Sequence, residues 1–112
     1  MDFDKMASLI KSFKNITFVI AHPGDAGEVK SHVDLMKSNE NAYLDLSGTG
    51  LFRYGMLKKL CCEVGAERIL FGTDYPICNL KMYIAGVLGE KISDREKEMI
   101  FAGNAKRILN IQ

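Results

Sequence analysis

A histidine and an aspartate, each placed directly after a strongly apolar run, carry most of the chemical interest of this sequence. His22 follows Phe18-Val19-Ile20-Ala21, and Asp74 ends the Gly72-Thr73-Asp74 turn that follows Arg68-Ile69-Leu70-Phe71. If both runs are parallel strands, both side chains emerge at the carboxyl edge of one sheet, where α/β proteins place their chemistry. An imidazole and a carboxylate at that edge predict a metal site or a proton-transfer site.

The number of candidate ligands limits this interpretation. A catalytic zinc ion normally takes three protein ligands and a water molecule. The other histidine, His32, falls in a predicted helix, and we expect it to lie away from the catalytic edge. His22 and Asp74 are therefore two candidate ligands where at least three are needed.

The composition is that of one soluble globular domain spanning residues 1–112, and it excludes several classes of function. The net charge is +1, and Lys and Arg are spread along the chain, which predicts neither nucleic-acid nor membrane binding. No apolar stretch approaches the ~20 residues that span a bilayer. The acidic start Met1-Asp2-Phe3-Asp4 is unlike a signal peptide. The odd number of cysteines indicates buried or half-buried thiols in a reducing, cytoplasmic setting: Cys61, Cys62 and Cys78.

Three short apolar runs predict the strands that would position the two candidates. They are residues 16–21, 42–47 and 68–73, and their apolar residues on both faces are typical of a sheet covered on both sides. Asp45 is a charge inside the second run, so it needs a partner if it is buried, from a neighbouring cation or a backbone amide.

Helical patterns separate these runs. They predict helices over residues 3–13, from about 25 to 39, 51–64, 78–89 and 93–109. Gly65 is expected to end the third helix, and Ser93 with Glu96 forms a capping box at the start of the last. We expect Asn104 to anchor that helix by hydrogen bonds, and the methionines at helical spacing to fill the core: Met6, Met36, Met56, Met82 and Met99.

The alternation of strands and helices defines the fold class. The order is α-β-α-β-α-β-α-α with a strand roughly every 26 residues, which favours right-handed crossovers and a parallel sheet. The prediction is an α/β fold with three parallel strands and flanking helices.

Four segments of the sequence resemble the closing third of the amidohydrolase-related family. They occur in the family's order and cover nearly the whole chain: residues 15–24, 42–48, 66–76 and 103–109. The stretch from Arg68 to Pro76 is the most specific of them, whereas the His22-Pro23-Gly24 turn alone is a weak signal.

The resemblance implies a partial TIM barrel, with the three predicted strands as strands six, seven and eight of a (β/α)8 barrel. It implies metal-dependent hydrolysis of C–N or C–O bonds, or decarboxylation. His22 matches the strand-six histidine that binds metal or polarises the substrate carbonyl. Asp74 matches the strand-eight aspartate, a metal ligand that also acts as general base. Ser47 and Gly48 match the strand-seven loop that lines the pocket.

The sequence departs from the family pattern in one large respect. The family's His-x-His motif at strand one and its strand-five ligand would lie upstream of Met1. The chain is therefore expected to lack a complete active site on its own, which leaves open whether it is an enzyme. A divalent metal, expected to be zinc, would bind if a complementing barrel chain completed the site.

Two other interpretations stay open at this stage. The chain could be a catalytically inert, truncated α/β protein that folds as a homo-oligomer, since the two outer strands would have unpaired edges. The helix at residues 93–109 could instead swing over the open face. A phosphate-binding module built on Gly48-Thr49-Gly50 is a weaker alternative, because the sequence has no dinucleotide or Walker pattern. The sequence does not specify the substrate.

Overall fold

A parallel sheet forms the centre of the computed structural model, which describes residues 2–48 and 53–112. Within those residues three strands pair in the order β1-β2-β3, with β1 at Phe18–Ile20, β2 at Ala42–Asp45 and β3 at Ile69–Leu70. Both pairings are parallel, and Ile20 lies beside Leu44, which in turn lies beside Ile69. The predicted α/β class and strand order are confirmed.

Helices precede, connect and follow the strands. The α-helices are α1 Phe3–Ser12, α2 Ala26–Ser38, α3 Met56–Val64, α4 Leu80–Leu88, α5 Asp94–Glu98 and α6 Asn104–Leu109. A 3₁₀ turn at Ala66–Arg68 precedes β3, and a π-helical segment at Met99–Gly103 joins α5 to α6. None of the helices in the described part of the chain combines the length and apolar character that a membrane crossing requires.

Several of the predicted elements are shorter in the structure than the sequence indicated. The third strand was expected over residues 68–73, but it contains two residues, because the 3₁₀ turn occupies its start. At its end, the amide of Phe71 donates to the carbonyl of Ile100 at 3.0 Å rather than to a strand. The third helix begins at Met56 instead of residue 51. Residues 49–52, which include part of the predicted glycine turn, lie outside the described residues.

Side-chain caps fix the ends of the helices where the sequence indicated them. Asp25 accepts hydrogen bonds from the amides of Gly27 and Glu28 at the start of α2, and Glu28 accepts from the amide of Asp25. Ser93 and Glu96 form the predicted capping box. Gly65 ends α3 with φ at +89°, a backbone conformation that side chains disfavour.

The final helical region is one continuous run with a π-helical interruption, and Asn104 fixes it to the sheet. The Asn104 side chain is fully buried, and its Nδ2 donates to the carbonyls of Ala66 at 2.7 Å and Ile69 at 2.8 Å. Its Oδ1 accepts from Arg107 at 3.1 Å. The predicted anchoring role is confirmed.

The core lies where the helices meet the sheet, and it is filled mainly by aliphatic side chains. Two expectations about this core were wrong. Met82 was expected to be buried but is 53% exposed, because α4 buries Tyr83 and Val87 instead. Cys62 is exposed, whereas its neighbour Cys61 is buried and burial raises the pKa of that thiol to about 12.

Candidate functional site

A groove of about 840 Å³ runs along β1 and the carboxyl edge of the sheet. Both His22 and Asp74 line it, although their strands lie on opposite sides of β2. The parallel sheet therefore brings the two sequence-predicted candidates to one cavity, as the strand argument required.

The turn after β2 fixes the Nδ1 edge of the His22 ring. Its Nδ1 lies 3.1 Å from the carbonyl oxygen of Ser47 and 3.1 Å from the Ser47 hydroxyl. Because a carbonyl oxygen only accepts hydrogen bonds, the contact with the Ser47 carbonyl assigns the proton of the neutral ring to Nδ1, with the Ser47 hydroxyl as a second acceptor. The Nε2 atom then has a free lone pair, which is the state that binds a metal ion or accepts a proton.

Gly48 allows the turn to approach the imidazole this closely. Its φ is +81°, and a Cβ at this position would lie 2.5 Å from Nδ1 of His22. A side chain here would displace the ring. Above Gly48, the buried Tyr83 of α4 donates its hydroxyl hydrogen to the Gly48 carbonyl. Sequence reasoning placed Ser47 and Gly48 at the pocket but did not single out Tyr83.

Asp45 lies between the turns that follow β2 and β3. Its Oδ1 accepts from the amide of Ser47 at 2.6 Å, which supplies the partner that the sequence required for this charge. On its other side, a Cβ added to Gly72 would lie 2.2 Å from the same oxygen. The carboxylate therefore caps the turn after β2 and packs closely against Gly72 of the turn after β3.

Asp74 stands at the start of a tight turn. Its φ is +57°, and its carbonyl accepts from the amides of Ile77 at 2.9 Å and Cys78 at 3.2 Å. The peptide bond between Tyr75 and Pro76 is cis. His22 also has a positive φ, at +69°. Residues other than glycine that have a positive φ are uncommon, and they are concentrated at functional sites.

His32 lies in the same groove, so the expectation that it would be remote from the site was wrong. Its Nδ1 is 3.2 Å from the carbonyl of Pro23, and its ring lies 6.0 Å from that of Phe3. From the carboxyl edge of the sheet the groove extends back along β1 between α1 and α2, and it therefore reaches the middle of α2. Burial lowers the pKa of His32, against the opposing effects of the Pro23 carbonyl and Glu28.

The described residues do not form a metal site by themselves. Across 2–48 and 53–112, no three His, Cys, Asp or Glu side chains come together in a way that could hold a metal ion. His22 and Asp74 have the donor types for two positions of such a site. A third donor is not supplied by the part of the chain that the structure describes.

The whole chain is similar to proteins of known family. A sequence model of the amidohydrolase family matches residues 1–111. A curated relative, the γ-resorcylate decarboxylase of Polaromonas sp. strain JS666, is 37% identical over 73 residues, which are 65% of this chain and 22% of the relative.

Two solved structures extend the similarity to the fold. Dihydroxybenzoic acid decarboxylase from Polaromonas sp. JS666, with bound manganese and the inhibitor 2-nitroresorcinol, superposes with a TM-score of 0.69 at 23% identity, over 93% of this chain and 36% of that one. An uncharacterised TIM-barrel protein from Bordetella bronchiseptica gives a TM-score of 0.78 at 26% identity, over 96% of this chain and 38% of that one.

These comparisons confirm the predicted partial barrel. The chain spans 22% of the length of the curated relative and little more than a third of each of the two barrel structures. Its three parallel strands and flanking helices therefore correspond to part of a TIM barrel. Because the family match covers all but the last residue, the chain belongs to the amidohydrolase family.

Proposed function

We propose that this chain forms the part of a metal-dependent decarboxylase that carries His22 and Asp74, and that the substrate is a hydroxylated benzoate. The observation that carries the proposal is the groove that both residues line. The 37% identity to a γ-resorcylate decarboxylase supports decarboxylation over the hydrolytic reactions of the family.

The end of the groove at the carboxyl edge of the sheet suits the polar groups of an aromatic acid. His22 and Asp74 stand there, and they would hold the carboxylate and hydroxyl groups of the substrate. The apolar part of the groove along β1, which includes Phe3, Met6 and Phe18, would be covered by a complementing chain and not by the substrate.

The two polar residues have distinct roles in this proposal. In decarboxylation the bond between the ring carbon and the carboxylate breaks, carbon dioxide leaves, and a proton is added to that ring carbon. Asp74 moves the proton. His22, which is fixed through Nδ1, would bind the metal ion through Nε2 or polarise a substrate oxygen. A bound divalent metal supplies Lewis-acid polarisation of the substrate oxygens. Manganese is present in one similar structure, whereas zinc was the expectation from the sequence.

The groups that the chain lacks would come from a complementing barrel chain. Strand β1 is at one end of the described sheet, with its Phe18 amide bonded to Asn41 on the β2 side. Its other side faces the groove, where Val19 is 47% exposed. A further parallel strand placed there would end beside His22, where an additional ligand is needed.

A complementation assay tests the proposal. The chain is mixed with the amino-terminal part of the Polaromonas γ-resorcylate decarboxylase, cut before the segment that this chain matches, and loss of γ-resorcylate is followed with Mn²⁺ or Zn²⁺. We expect activity in the mixture, and a loss of about 100-fold or more with Asp74→Asn, the range attributed to a general acid or base. Asp34→Asn is the matched control, because the Asp34 carboxylate forms an exposed ion pair with Lys30, and such pairs contribute little to stability.

Metal binding gives a second measurement. Titration of Mn²⁺ and Zn²⁺ into the chain alone should show no tight one-to-one binding, whereas the mixture should bind one equivalent that His22→Gln weakens. Activity that survives Asp74→Asn, or that needs no metal ion, would contradict the proposal.

The alternative function is that of an inert homo-oligomer. The specific observation in its favour is the lack of a third metal donor in the described part of the chain. A complex that forms with the complementing part and yet turns over no hydroxybenzoate would favour this alternative.

A further inference from the structure

Tyr83 is a buried tyrosine whose hydroxyl reaches the turn that holds His22. It lies in α4 with 1% of its surface exposed, and it donates a hydrogen bond to the Gly48 carbonyl. Burial, and then the neighbouring Cys78 thiol, raises the pKa of the phenol. The hydroxyl therefore stays protonated and remains a donor at neutral pH.

The residue that accepts this bond, Gly48, packs closely on the imidazole. Gly48 packs so closely on His22 that an added Cβ would stand 2.5 Å from Nδ1. The preceding residue, Ser47, gives that nitrogen both its carbonyl and its hydroxyl at 3.1 Å. A shift of the Gly48 peptide would therefore move the atoms that fix the ring.

We propose that Tyr83 is a positioning residue for His22, which it holds through the Gly48 carbonyl in the orientation that keeps the proton on Nδ1. Its importance for catalysis rests on the proposed function, but the contacts themselves do not. These contacts from Tyr83 through Gly48 to His22 form a relay. The relay joins all three strand ends, since α4 follows the turn after β3, Gly48 follows β2 and His22 follows β1.

Nuclear magnetic resonance of the histidine rings tests this arrangement in the chain itself. Long-range ¹H–¹⁵N correlation spectra are recorded at a pH of about 8.5, where imidazoles are mostly neutral, for the unaltered chain and for Tyr83→Phe. In the unaltered chain the His22 nitrogens should show Nδ1 protonated. In Tyr83→Phe both shifts should move toward the averaged values of a free imidazole that exchanges its tautomers.

Two controls separate positioning from general loosening. His32 reports on the same spectra, because its Nδ1 is bonded to Pro23 and has no part in the relay. Tyr43→Phe removes a hydroxyl from β2, on a ring that packs beneath the Arg68 guanidinium instead of at Gly48. Neither the His32 shifts in Tyr83→Phe nor the His22 shifts in Tyr43→Phe should change.

The outcomes bear directly on the proposal. Unchanged His22 shifts in a folded Tyr83→Phe variant would overturn it, and so would equal changes at His22 and His32, which would mean that Tyr83 only stabilises the fold. If the variant does not fold, the unaltered chain should still show a slowly exchanging Tyr83 hydroxyl proton with a nuclear Overhauser effect to Gly48, and absence of that signal would also overturn it. A selective shift at His22 supports the relay even when the complemented enzyme is inactive, a result that would reject the decarboxylase alone.

Discussion

The two histidines of this chain share a groove but have different surroundings. His22 is exposed and fixed through Ser47 at the sheet edge, whereas His32 lies half-buried between α1 and α2. Burial is the main influence on His32 and lowers its pKa, while Glu28 and the Pro23 carbonyl act in the opposite direction. Protonation of His32 therefore opposes folding.

We expect this histidine to make stability depend on pH. The unfolded chain binds a proton at His32 near the ordinary histidine pKa of 6.5, and the folded chain binds it only at lower pH. Unfolding is therefore accompanied by proton uptake, and the free energy of unfolding should fall as the pH decreases below about 6.5. Urea unfolding between about pH 5 and 8 measures the slope. His32→Asn should flatten it, and a slope unchanged in that variant would contradict the assignment.

Asn104 supports a second prediction at this scale. Replacing it with Ala removes a donor from two buried carbonyls, those of Ala66 and Ile69, of which the Ala66 carbonyl keeps its bond from the Ile69 amide. We expect Asn104→Ala to lower the free energy of unfolding by about 2–4 kcal/mol. Asn15→Ala, at an exposed position, is the control and should change it by less than about 0.5 kcal/mol. Equal effects of the two substitutions in urea unfolding would show that the anchor is unimportant.

Residues whose role depends on local sequence could be recognised in advance, and residues that act over long distances in the chain could not. Asp45 was identified because a charge inside an apolar run needs a partner, and its partner lies two residues away. Tyr83 was not recognised, since nothing near it in sequence indicates Gly48, which is 35 residues distant. His32 was misplaced because the path of the groove depends on how α1 packs beside β1.

At the scale of elements, the order and type were predictable and the lengths were not. Apolar periodicity located α1 and α2 to within a few residues, and the caps at Asp25 and Ser93 are local signals. The π-helical segment at Met99–Gly103 has no such signal. It arises where one helical run meets two fixed points, the Phe71 amide bonded to Ile100 and the buried Asn104 side chain.

A pair of glycine substitutions tests the helix boundaries. Gly65→Ala should destabilise the protein by about 1–2 kcal/mol, because φ at +89° is unfavourable for alanine. Gly27→Ala should stabilise it by about 0.5–1 kcal/mol, because Gly27 is helical and an added Cβ meets only the Asp25 carboxylate, at 3.4 Å. Thermal unfolding of the two variants should give shifts of opposite sign. Shifts of the same sign would contradict the assigned backbone conformations.

At the scale of the whole molecule, the exposed side of β1 is the surface most open to association with another chain. Val19 is nearly half exposed on a strand that pairs only with β2 among the described strands. Exposed apolar strand edges favour association with another chain. Charged side chains on such an edge oppose it.

We therefore predict that Val19→Lys reduces self-association without reducing stability. Light scattering at micromolar concentration should give a smaller mass for Val19→Lys than for the unaltered chain, and urea unfolding should give a similar free energy of unfolding. Ile111→Lys, at an exposed position near the carboxyl end, is the control and should leave the mass unchanged. A monomeric unaltered chain would contradict the homo-oligomer expected from the sequence.

The bond between the Phe71 amide and the Ile100 carbonyl has a consequence for symmetry. The backbone beyond β3 is therefore hydrogen-bonded to the last helical region, whereas the outer side of β1 is exposed. The two outer borders of the sheet thus differ. Two copies joined through their β1 borders would be related by a dyad, with those borders running antiparallel, and each copy would use the same surface. Such an isologous contact closes on itself, and assembly by this route ends at two copies instead of growing into a fibre.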